Sequence, residues 1–428
     1  MQQTNQRIYA SSQSPDSMNM KDFLCKSCGS RKGDLILDLG VQPLANNLLL
    51  QSNLPDGEEP KYPLRLAVCL DCLLMQLPEI IPPTKLFSEY IYFSSFSDAM
   101  LQHAKAATTD YIKEFDLGKE SQVVEVASND GYMLQYFVRS GIPALGIEPA
   151  ANIASEARKK GVETVTEFFT LDLAGRVIAE KGQADLILGN NVFAHVPDTN
   201  DFVAGIAALL KKQGRAVLEF PWGHEMVRNL EFDTIYHEHV FYFNLTPLIP
   251  LFGRHGLEII KVQKLPIHGG SLRVFASQSG QFAVDPSVTE ILEQEADEGV
   301  KTAAYYTDFA KSVVMLKEEL VKLLADLKNK GASIAAYGAS AKGSTLLNFC
   351  GVGLETLDFV ADRSTYKQGR YTPGTHLPIV SSKALLEKQP DYALLLTWNF
   401  ADEILRQQEE YRKRGGKFII PLPKATIV

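Results

Sequence analysis

Four of the five cysteines in the 428-residue chain form two pairs, each with two residues between its members. This spacing lets both thiolates of a pair turn toward one ion, and four thiolates complete a tetrahedral zinc site with no open position. The alternative is a set of reduced, buried cysteines without metal. We predict a structural Zn²⁺ ion whose ligands are Cys25, Cys28, Cys69 and Cys72.

A second chemical signal is the segment Val124–Tyr132, which reads as a strand, a turn and the start of a helix. It lacks the GxGxxG pattern that cradles a pyrophosphate, so NAD fits poorly. Glu148 ends the next predicted strand, about twenty residues on, where an acidic side chain binds the ribose of an adenosine. Asn190 and Asn191 end a later strand, at the edge that lines the ligand crevice. We predict S-adenosylmethionine, bound by Glu125, Ser128, Asn129, Asp130, Gly131, Glu148, Asn190 and Asn191.

Four consecutive proton-handling side chains, Tyr236, His237, Glu238 and His239, form the third signal. The histidines are two residues apart, which is not the HExxH spacing of a metal motif. On a strand, the two histidines would share one face, with the tyrosine and the glutamate on the other. In a less regular turn all four could converge. The apolar residues on both sides disfavour a solvated loop, and His195 lies after the strand that ends at Asn190.

The segment Gly338–Thr345 is a glycine-containing turn that opens a predicted helix. It is not a Walker A loop, because Lys342 precedes Gly343. Such a turn with a lysine and hydroxyl groups still forms an anion site. The alternative is a decayed Rossmann domain with a solvated basic loop. We predict that a nucleotide diphosphate is bound by Ser340, Lys342, Gly343, Arg363, Lys367 and Arg370.

The elements that position these residues follow an alternating pattern of short β-rich runs and helical stretches. This pattern predicts an α/β fold with a doubly wound parallel sheet. The central strands are expected at 122–126, 144–148, 184–189 and 215–220, with an antiparallel end formed by 257–263 and 271–277. A polar helical stretch over 286–330 is expected to join this unit to a second one, with strands at 333–338, 357–362, 392–398 and 417–423.

Composition and charge limit which partners and which cellular location the sequence allows. The chain carries 43 Lys and Arg against 51 Asp and Glu, a net charge of −8, which argues against nucleic acid or anionic lipid as a partner. No apolar run approaches the ~18 residues of a membrane span, and the polar first residues lack a signal-peptide core. We expect a cytoplasmic protein.

The chain is expected to divide into four parts. They are a disordered tail over 1–20, a zinc-binding domain over 21–88, a central domain over 89–284 and a C-terminal Rossmann-like domain over 285–428.

Several long motifs resemble those of the nucleotide-sugar C-methyltransferases that place a methyl branch at C-3 of a 4-keto-6-deoxyhexose. The resemblance covers about residues 22 to 428. Its motifs are the two CxxC pairs, YIYFSSFS (90–97), EVASNDG (125–131), NNVFAHVPD (190–198), YHEHVFYF (236–243), HGGSLRVF (268–275), YGASAKGSTLLNFCG (337–351), DRSTYKQGRYTPGTHLPI (362–379) and LTWNF (396–400).

This resemblance implies a central S-adenosylmethionine methyltransferase domain between the zinc-binding and Rossmann-like domains, with a nucleotide-diphosphate 4-keto-6-deoxy sugar as substrate. A base removes a proton next to the ketone, and the enolate carbon attacks the methyl group of S-adenosylmethionine. The resemblance points to Tyr90, His195, Tyr236, Glu238 and His239 as the catalytic residues.

Among these residues we predict His239 as the base, because imidazole is neutral and able to accept a proton near pH 7. Glu238 is the weaker base unless burial raises its pKa, so it is expected to orient a histidine or hold a sugar hydroxyl. Tyr236 and Tyr90 are expected to donate to the C-4 oxygen. An O- or N-methyltransferase acting on a similar sugar stays possible; an RNA methyltransferase and a non-catalytic scaffold fit less well.

Overall fold

The computed structural model describes residues 23–54, 59–87, 93–96 and 98–428. The expected tail over 1–20 and the candidate catalytic residue Tyr90 lie outside the described residues. The strands are β1 (Gly33–Pro43), β2 (Lys61–Cys69), β3 (Met75–Gln76), β4 (Val123–Val126), β5 (Ala144–Ile147), β6 (Glu163–Val165), β7 (Ala184–Asn190), β8 (Leu210–Pro221), β9 (Phe241–Tyr242), β10 (Leu257–Leu265), β11 (Ser271–Gln278), β12 (Ile334–Tyr337), β13 (Val360–Asp362), β14 (Ile379–Ser381), β15 (Tyr392–Leu395), β16 (Lys417–Ile420) and β17 (Thr426–Ile427).

Helices cover the sheets and connect them. They are α1 (Pro83–Phe87), α2 (Asp98–Glu114), α3 (Leu134–Arg139), α4 (Ala151–Lys159), α5 (Leu171–Lys181), α6 (Thr199–Leu209), α7 (Gly223–Arg228), α8 (Leu245–Arg254), α9 (Pro286–Asp297), α10 (Ala303–Asn329), α11 (Ala341–Cys350), α12 (Ala384–Lys388), α13 (Ala401–Gln407) and α14 (Glu409–Lys413). Among the helices in the described ranges, none is long and apolar enough to cross a membrane.

The central sheet has the strand order β6-β5-β4-β7-β8-β11-β10. Its strands from β6 to β8 are parallel, and β11 runs antiparallel to both of its neighbours. The predicted doubly wound sheet with an antiparallel end is therefore confirmed. Because β4, β5 and β7 are parallel, their carboxyl ends meet at one edge, which is the edge where such sheets bind ligands.

The C-terminal sheet has the order β14-β13-β12-β15-β16-β17, and only β17 is antiparallel. Its four predicted strands are present, and the short strands β14 and β17 were not predicted. The α/β fold class, with two Rossmann-like sheets, is confirmed. The domain boundaries after residues 88 and 284 stay predictions.

The polar stretch over 286–330 forms two helices, α9 and α10, rather than one. The backbone of Gly299 has φ +87°, and the Thr302 side chain accepts a hydrogen bond from the Tyr305 N–H and so caps α10. Buried side chains of α10 pack in one core with Leu37 of β1, Leu66 of β2 and Ile334 of β12. The stretch therefore joins the N-terminal sheet to the C-terminal sheet through a shared hydrophobic core.

The N-terminal sheet has the order β1-β2-β3-β9 and is antiparallel throughout. Its last strand, β9, comes from sequence more than 160 residues after β3, within the YHEHVFYF motif. The turn over residues 236–239, directly before β9, is therefore held against the N-terminal sheet.

Candidate active site and metal centre

The four cysteine sulfur atoms lie within 4.8 Å of one another. The Sγ atoms of Cys25 and Cys72 are 3.5 Å apart, as are those of Cys28 and Cys69. Tetrahedral zinc with Zn–S bonds of about 2.3 Å requires sulfur separations of about 3.8 Å. The backbone N–H of Cys28 points at Cys25 Sγ and that of Cys72 at Cys69 Sγ, both at 3.5 Å. The cluster therefore fits a closed, structural zinc site.

The first cysteine pair is also attached to the central domain by polar contacts. The Asn200 amide donates to the carbonyl oxygens of Lys26, at 2.8 Å, and Ser27, at 2.9 Å. The Arg254 guanidinium donates to the Ser27 carbonyl oxygen at 2.8 Å. These bonds need the backbone conformation that the metal holds, so loss of zinc should also loosen this contact.

We expect Cys69→Ser to lose zinc and to give insoluble or protease-sensitive protein, because thiolate zinc sites contribute folding free energy directly. Metal analysis and limited proteolysis measure this, with one zinc ion per chain expected in the wild type. Cys350→Ala is the matched control, since Cys350 lies outside the cluster and should leave the zinc content unchanged. Soluble wild-type protein without zinc would contradict the assignment.

The turn after β4 has a left-handed backbone at three positions, Ala127 (φ 54°), Asn129 (φ 49°) and Gly131 (φ 73°). A Cβ atom at Gly131 would lie 3.0 Å from Val162 Cγ2, so the turn packs closely against the chain behind it. Left-handed residues other than glycine are costly and cluster at ligand sites. The Ser128 N–H donates to the Ile147 carbonyl oxygen at 3.2 Å, so the turn is fixed at the end of β5.

Glu148, just after β5, closes this turn. Its carboxylate accepts hydrogen bonds from the backbone N–H of Asn129, at 3.1 Å, and of Ala150, at 2.9 Å. The side chain is buried, and burial raises its pKa. A carboxylate offers about four acceptor positions, so two are left for the hydroxyl groups of a ribose. The geometry fits the predicted role.

The surroundings of Glu125 point most strongly to a ligand site at this turn. It is fully buried, and neither carboxylate oxygen has a hydrogen-bond partner among the described residues. Burial, with smaller contributions from Asp130 and Glu148, raises its pKa well above the usual value. Ser128 Oγ, in the same part of the turn, is also buried and has no hydrogen-bond partner within the described ranges. A cationic, polar ligand such as S-adenosylmethionine fits these two groups.

The other predicted cofactor residues have partners within the protein. The Asp130 carboxylate pairs with Lys160 at 2.9 Å. The Asn190 amide donates to the Tyr132 hydroxyl at 3.2 Å, and its Oδ1 atom is buried without a hydrogen-bond partner among the described residues. The Asn191 backbone has φ 52°. Asn190 is thus joined to the segment between the β4 turn and α3, while Asp130 forms an ion pair.

We expect Glu148→Ala to weaken S-adenosylmethionine binding by about tenfold to a hundredfold, because hydrogen bonds to a charged acceptor contribute roughly 1.5–3 kcal/mol each. Isothermal titration calorimetry measures the affinity. Glu148→Gln keeps the shape and one acceptor oxygen and should lose less. An unchanged affinity in the alanine variant would move the ribose site elsewhere.

Residues 236–239 form a turn, closed by a 2.9 Å hydrogen bond from the His239 N–H to the Tyr236 carbonyl oxygen. Of the two alternatives that the sequence leaves open, the strand with both histidines on one face is therefore wrong, and the residues adopt the turn. Tyr236 and His239 meet, with the hydroxyl oxygen 2.6 Å from Nε2. His237 turns away and contacts the Pro63 carbonyl oxygen at 3.2 Å.

The hydrogen bonds of His239 determine which ring nitrogen carries the proton. Its Nδ1 atom lies 3.0 Å from the Thr234 carbonyl oxygen, which can only accept. In the neutral ring Nδ1 is therefore protonated, and Nε2 carries the lone pair that accepts from the Tyr236 hydroxyl. Nε2 is the atom that can take a proton from a substrate.

Glu238 is buried beside this pair and is held from the N-terminal part of the chain. The Asn46 amide nitrogen donates to both carboxylate oxygens, at 2.8 and 2.9 Å. Burial raises the pKa of Glu238 to about 7, and the Asn46 hydrogen bond opposes the rise. A carboxylate with this pKa is a stronger base than the sequence suggested. Asn46 has no motif spacing that could have identified it.

His195 completes the group. Its Nδ1 atom donates to the Glu238 carbonyl oxygen at 2.7 Å, and its ring lies 4.8 Å from that of His239, measured between centroids. Burial lowers the pKa of His195 to about 4, so its ring is neutral near pH 7. The structure therefore brings together four of the five predicted catalytic residues, the fifth being Tyr90.

In the C-terminal domain, Ser340 caps α11 by accepting a hydrogen bond from the Gly343 N–H at 3.0 Å. Lys342 Nζ is buried, lies 4.7 Å from the centroid of the Trp398 ring and has no hydrogen-bond partner among the described residues. Lys367 donates to the Ala339 carbonyl oxygen at 2.7 Å. These residues gather at one helix N-terminus.

The two predicted arginine ligands are less closely tied to this turn. Arg363 is two-thirds exposed and lies 3.8 Å from Glu403, while Arg370 Nε donates to the Tyr366 carbonyl oxygen.

Lys342 also has anionic neighbours that the sequence does not reveal. Burial raises the pKa of Asp233, and Lys342 opposes that rise. Trp398 donates to the same carboxylate at 2.7 Å.

Comparison with known proteins agrees with this geometry. Family models match in three segments: a zinc binding domain over residues 25–87, a methyltransferase domain over 100–262 and a C-methyltransferase C-terminal domain over 266–423. The C-methyltransferase NovU of Streptomyces niveus is 36% identical over 405 residues, which are 94% of this chain and 96% of that protein. S-adenosylmethionine is therefore the methyl donor and zinc the bound metal.

Two solved structures resemble part of the chain. Magnesium protoporphyrin IX methyltransferase from Synechocystis PCC 6803, with bound S-adenosylmethionine, has a TM-score of 0.33 and 15% identity, over 44% of this chain and 86% of its own. An S-adenosylmethionine-dependent methyltransferase from Clostridium acetobutylicum has a TM-score of 0.34 and 11% identity, over 42% and 92% of the two chains.

Proposed function

The chain belongs to the C-methyltransferase family, and we propose that it methylates C-3 of a nucleotide-linked 4-keto-6-deoxy sugar for branched-chain deoxysugar biosynthesis. The observation that carries this proposal is the contact between Tyr236 and His239 Nε2. It puts a proton acceptor and a hydroxyl donor side by side, which is what removal of a proton next to a ketone requires.

In this proposal His239 Nε2 takes the proton from C-3, and the electron pair of the broken C–H bond moves toward the C-4 oxygen. The hydroxyl groups of Tyr236 and Tyr90 donate to that oxygen as it gains charge. Tyr236 must therefore turn from Nε2 to the ketone when substrate binds. Bound S-adenosylmethionine would supply the electrophilic methyl group, with its sulfur–methyl bond breaking as the carbon–carbon bond forms and S-adenosylhomocysteine left as the product. Glu238 holds a sugar hydroxyl, and neutral His195 supports the position of the turn.

For the nucleotide part we propose a diphosphate site at the N-terminus of α11. Its residues are Ser340, Lys342, Gly343, Arg363, Lys367 and Arg370. The support is the positive end of the α11 dipole and the buried ammonium of Lys342, which has no hydrogen-bond partner among the described residues. Asp233 beside Lys342 reduces the positive charge there, so the two arginines have to contribute to binding.

The function is tested by offering the purified protein S-adenosylmethionine with a panel of 4-keto-6-deoxy nucleotide sugars. We expect a mass gain of one methyl group on at least one sugar, and NMR should show the methyl carbon bonded to C-3. The same sugars with the C-4 ketone reduced to an alcohol are the matched controls. They should not react, because without the ketone their C-3 proton is not acidic. A methyl group on oxygen or nitrogen would replace this proposal by the corresponding O- or N-methyltransferase.

We expect His239→Asn to lower kcat by about a hundredfold or more, since a lost general base typically costs 10²–10⁴ in rate. Steady-state kinetics on the accepted sugar measures this, and cofactor binding should be unchanged. Tyr236→Phe keeps the ring and should lose less. A fully active His239→Asn enzyme, or solvent deuterium exchange at C-3 that persists in it, would assign the base to Tyr236 or Glu238.

A further inference from the structure

We propose that Asn46 is a positioning residue of the active site, whose amide holds the Glu238 carboxylate ionised and correctly oriented. The inference rests on the proposed function, because it explains how Glu238 is kept as an acceptor for a sugar hydroxyl. Asn46 lies in the loop that follows β1, 192 residues before Glu238 in sequence. The N-terminal domain thus contributes a side chain to the chemistry as well as a scaffold.

The geometry of the contact supports a specific role. One amide group donates to both oxygens of the carboxylate, at 2.8 and 2.9 Å, so it fixes the carboxylate plane. Glu238 is 5% exposed, whereas Asn46 is exposed. The contact therefore joins an exposed amide to a buried carboxylate, and the remaining acceptor positions of that carboxylate can take a sugar hydroxyl.

The surroundings of Glu238 make this single neutral donor important. Burial is the main influence on the pKa of Glu238, and Asn46 is the group that opposes it among the residues described. The titratable neighbours are His195, which contacts the Glu238 backbone oxygen, and Tyr236, His237 and His239 on the same turn. His195 is kept neutral by its lowered pKa. Loss of the amide should therefore favour protonated Glu238.

The sign of the expected pH effect follows from this argument. An ionised Glu238 accepts the sugar hydroxyl, so activity should fall as the pH drops through its pKa. Removing a donor to the charged form raises that pKa further. In Asn46→Ala the acidic limb of kcat against pH should move up by about one pH unit, which lowers kcat about fivefold at pH 7 and hardly at all near pH 9.

Asn46→Asp and Asn47→Ala make the comparison sharper. Asn46→Asp places a second carboxylate against Glu238, so the limb should move further upward. Asn47 is the exposed neighbour, and Asn47→Ala should retain the wild-type profile. S-adenosylmethionine affinity should be the same in all variants. A uniform loss of kcat at every pH, or an equal loss of cofactor affinity, would mean a structural role and would overturn the proposal.

A readout that does not need turnover separates this inference from the proposed function. In protein labelled with ¹³C at glutamate carboxyl carbons, the Glu238 signal is identified by its absence from Glu238→Gln. Its titration midpoint should be higher in Asn46→Ala than in the wild type. An unchanged midpoint overturns the role of Asn46 even if the sugar is methylated. Absence of methylation, together with the raised midpoint, overturns the function and leaves the role of Asn46 in place.

Discussion

The pairing of β9 with β3 is the constraint on which the active site depends. Met75 lies opposite Tyr242 and Gln76 opposite Phe241, and the Leu77 N–H donates to the Val240 carbonyl oxygen at 2.8 Å. The same β3 pairs with β2, which ends at the zinc ligand Cys69. A short antiparallel pair is barely stable alone, and a small domain has little core to support it. The metal therefore stabilises the surface on which the 236–239 turn rests.

Backbone carbonyl groups, rather than charged side chains, orient the histidines of this turn and its surroundings. His195, His237 and His239 each place one ring nitrogen on a carbonyl oxygen, of Glu238, Pro63 and Thr234 respectively. Because a carbonyl only accepts, each of these nitrogens is a donor, and the other nitrogen of the neutral ring carries the lone pair. The fold thus determines the tautomers of these three histidines through backbone carbonyl groups.

The sequence predicts what depends on local pattern and misses what depends on long-range contact. Cysteine spacing and strand–helix alternation predict the metal cluster and most strands of both Rossmann-like sheets, while the three-residue β6 and β14 and the two-residue β17 are too short for any periodicity. The sequence predicts a weak base at Glu238, because the burial of this side chain is not visible in sequence. The Asn46 contact spans 192 residues and that of Trp398 with Asp233 spans 165, so no spacing rule could have found them.

Three buried carboxylates, Glu125, Glu148 and Glu238, lie where a ligand is expected, and burial raises the pKa of each. A buried charge is costly unless it is paired or hydrogen-bonded, so the protein alone favours the protonated form most strongly at Glu125, which has no partner among the described residues. We expect a cationic cofactor beside Glu125 to reverse that preference and to stabilise the carboxylate. On this proposal cofactor binding is coupled to proton release, and the bound cofactor offsets the free energy of burying this glutamate.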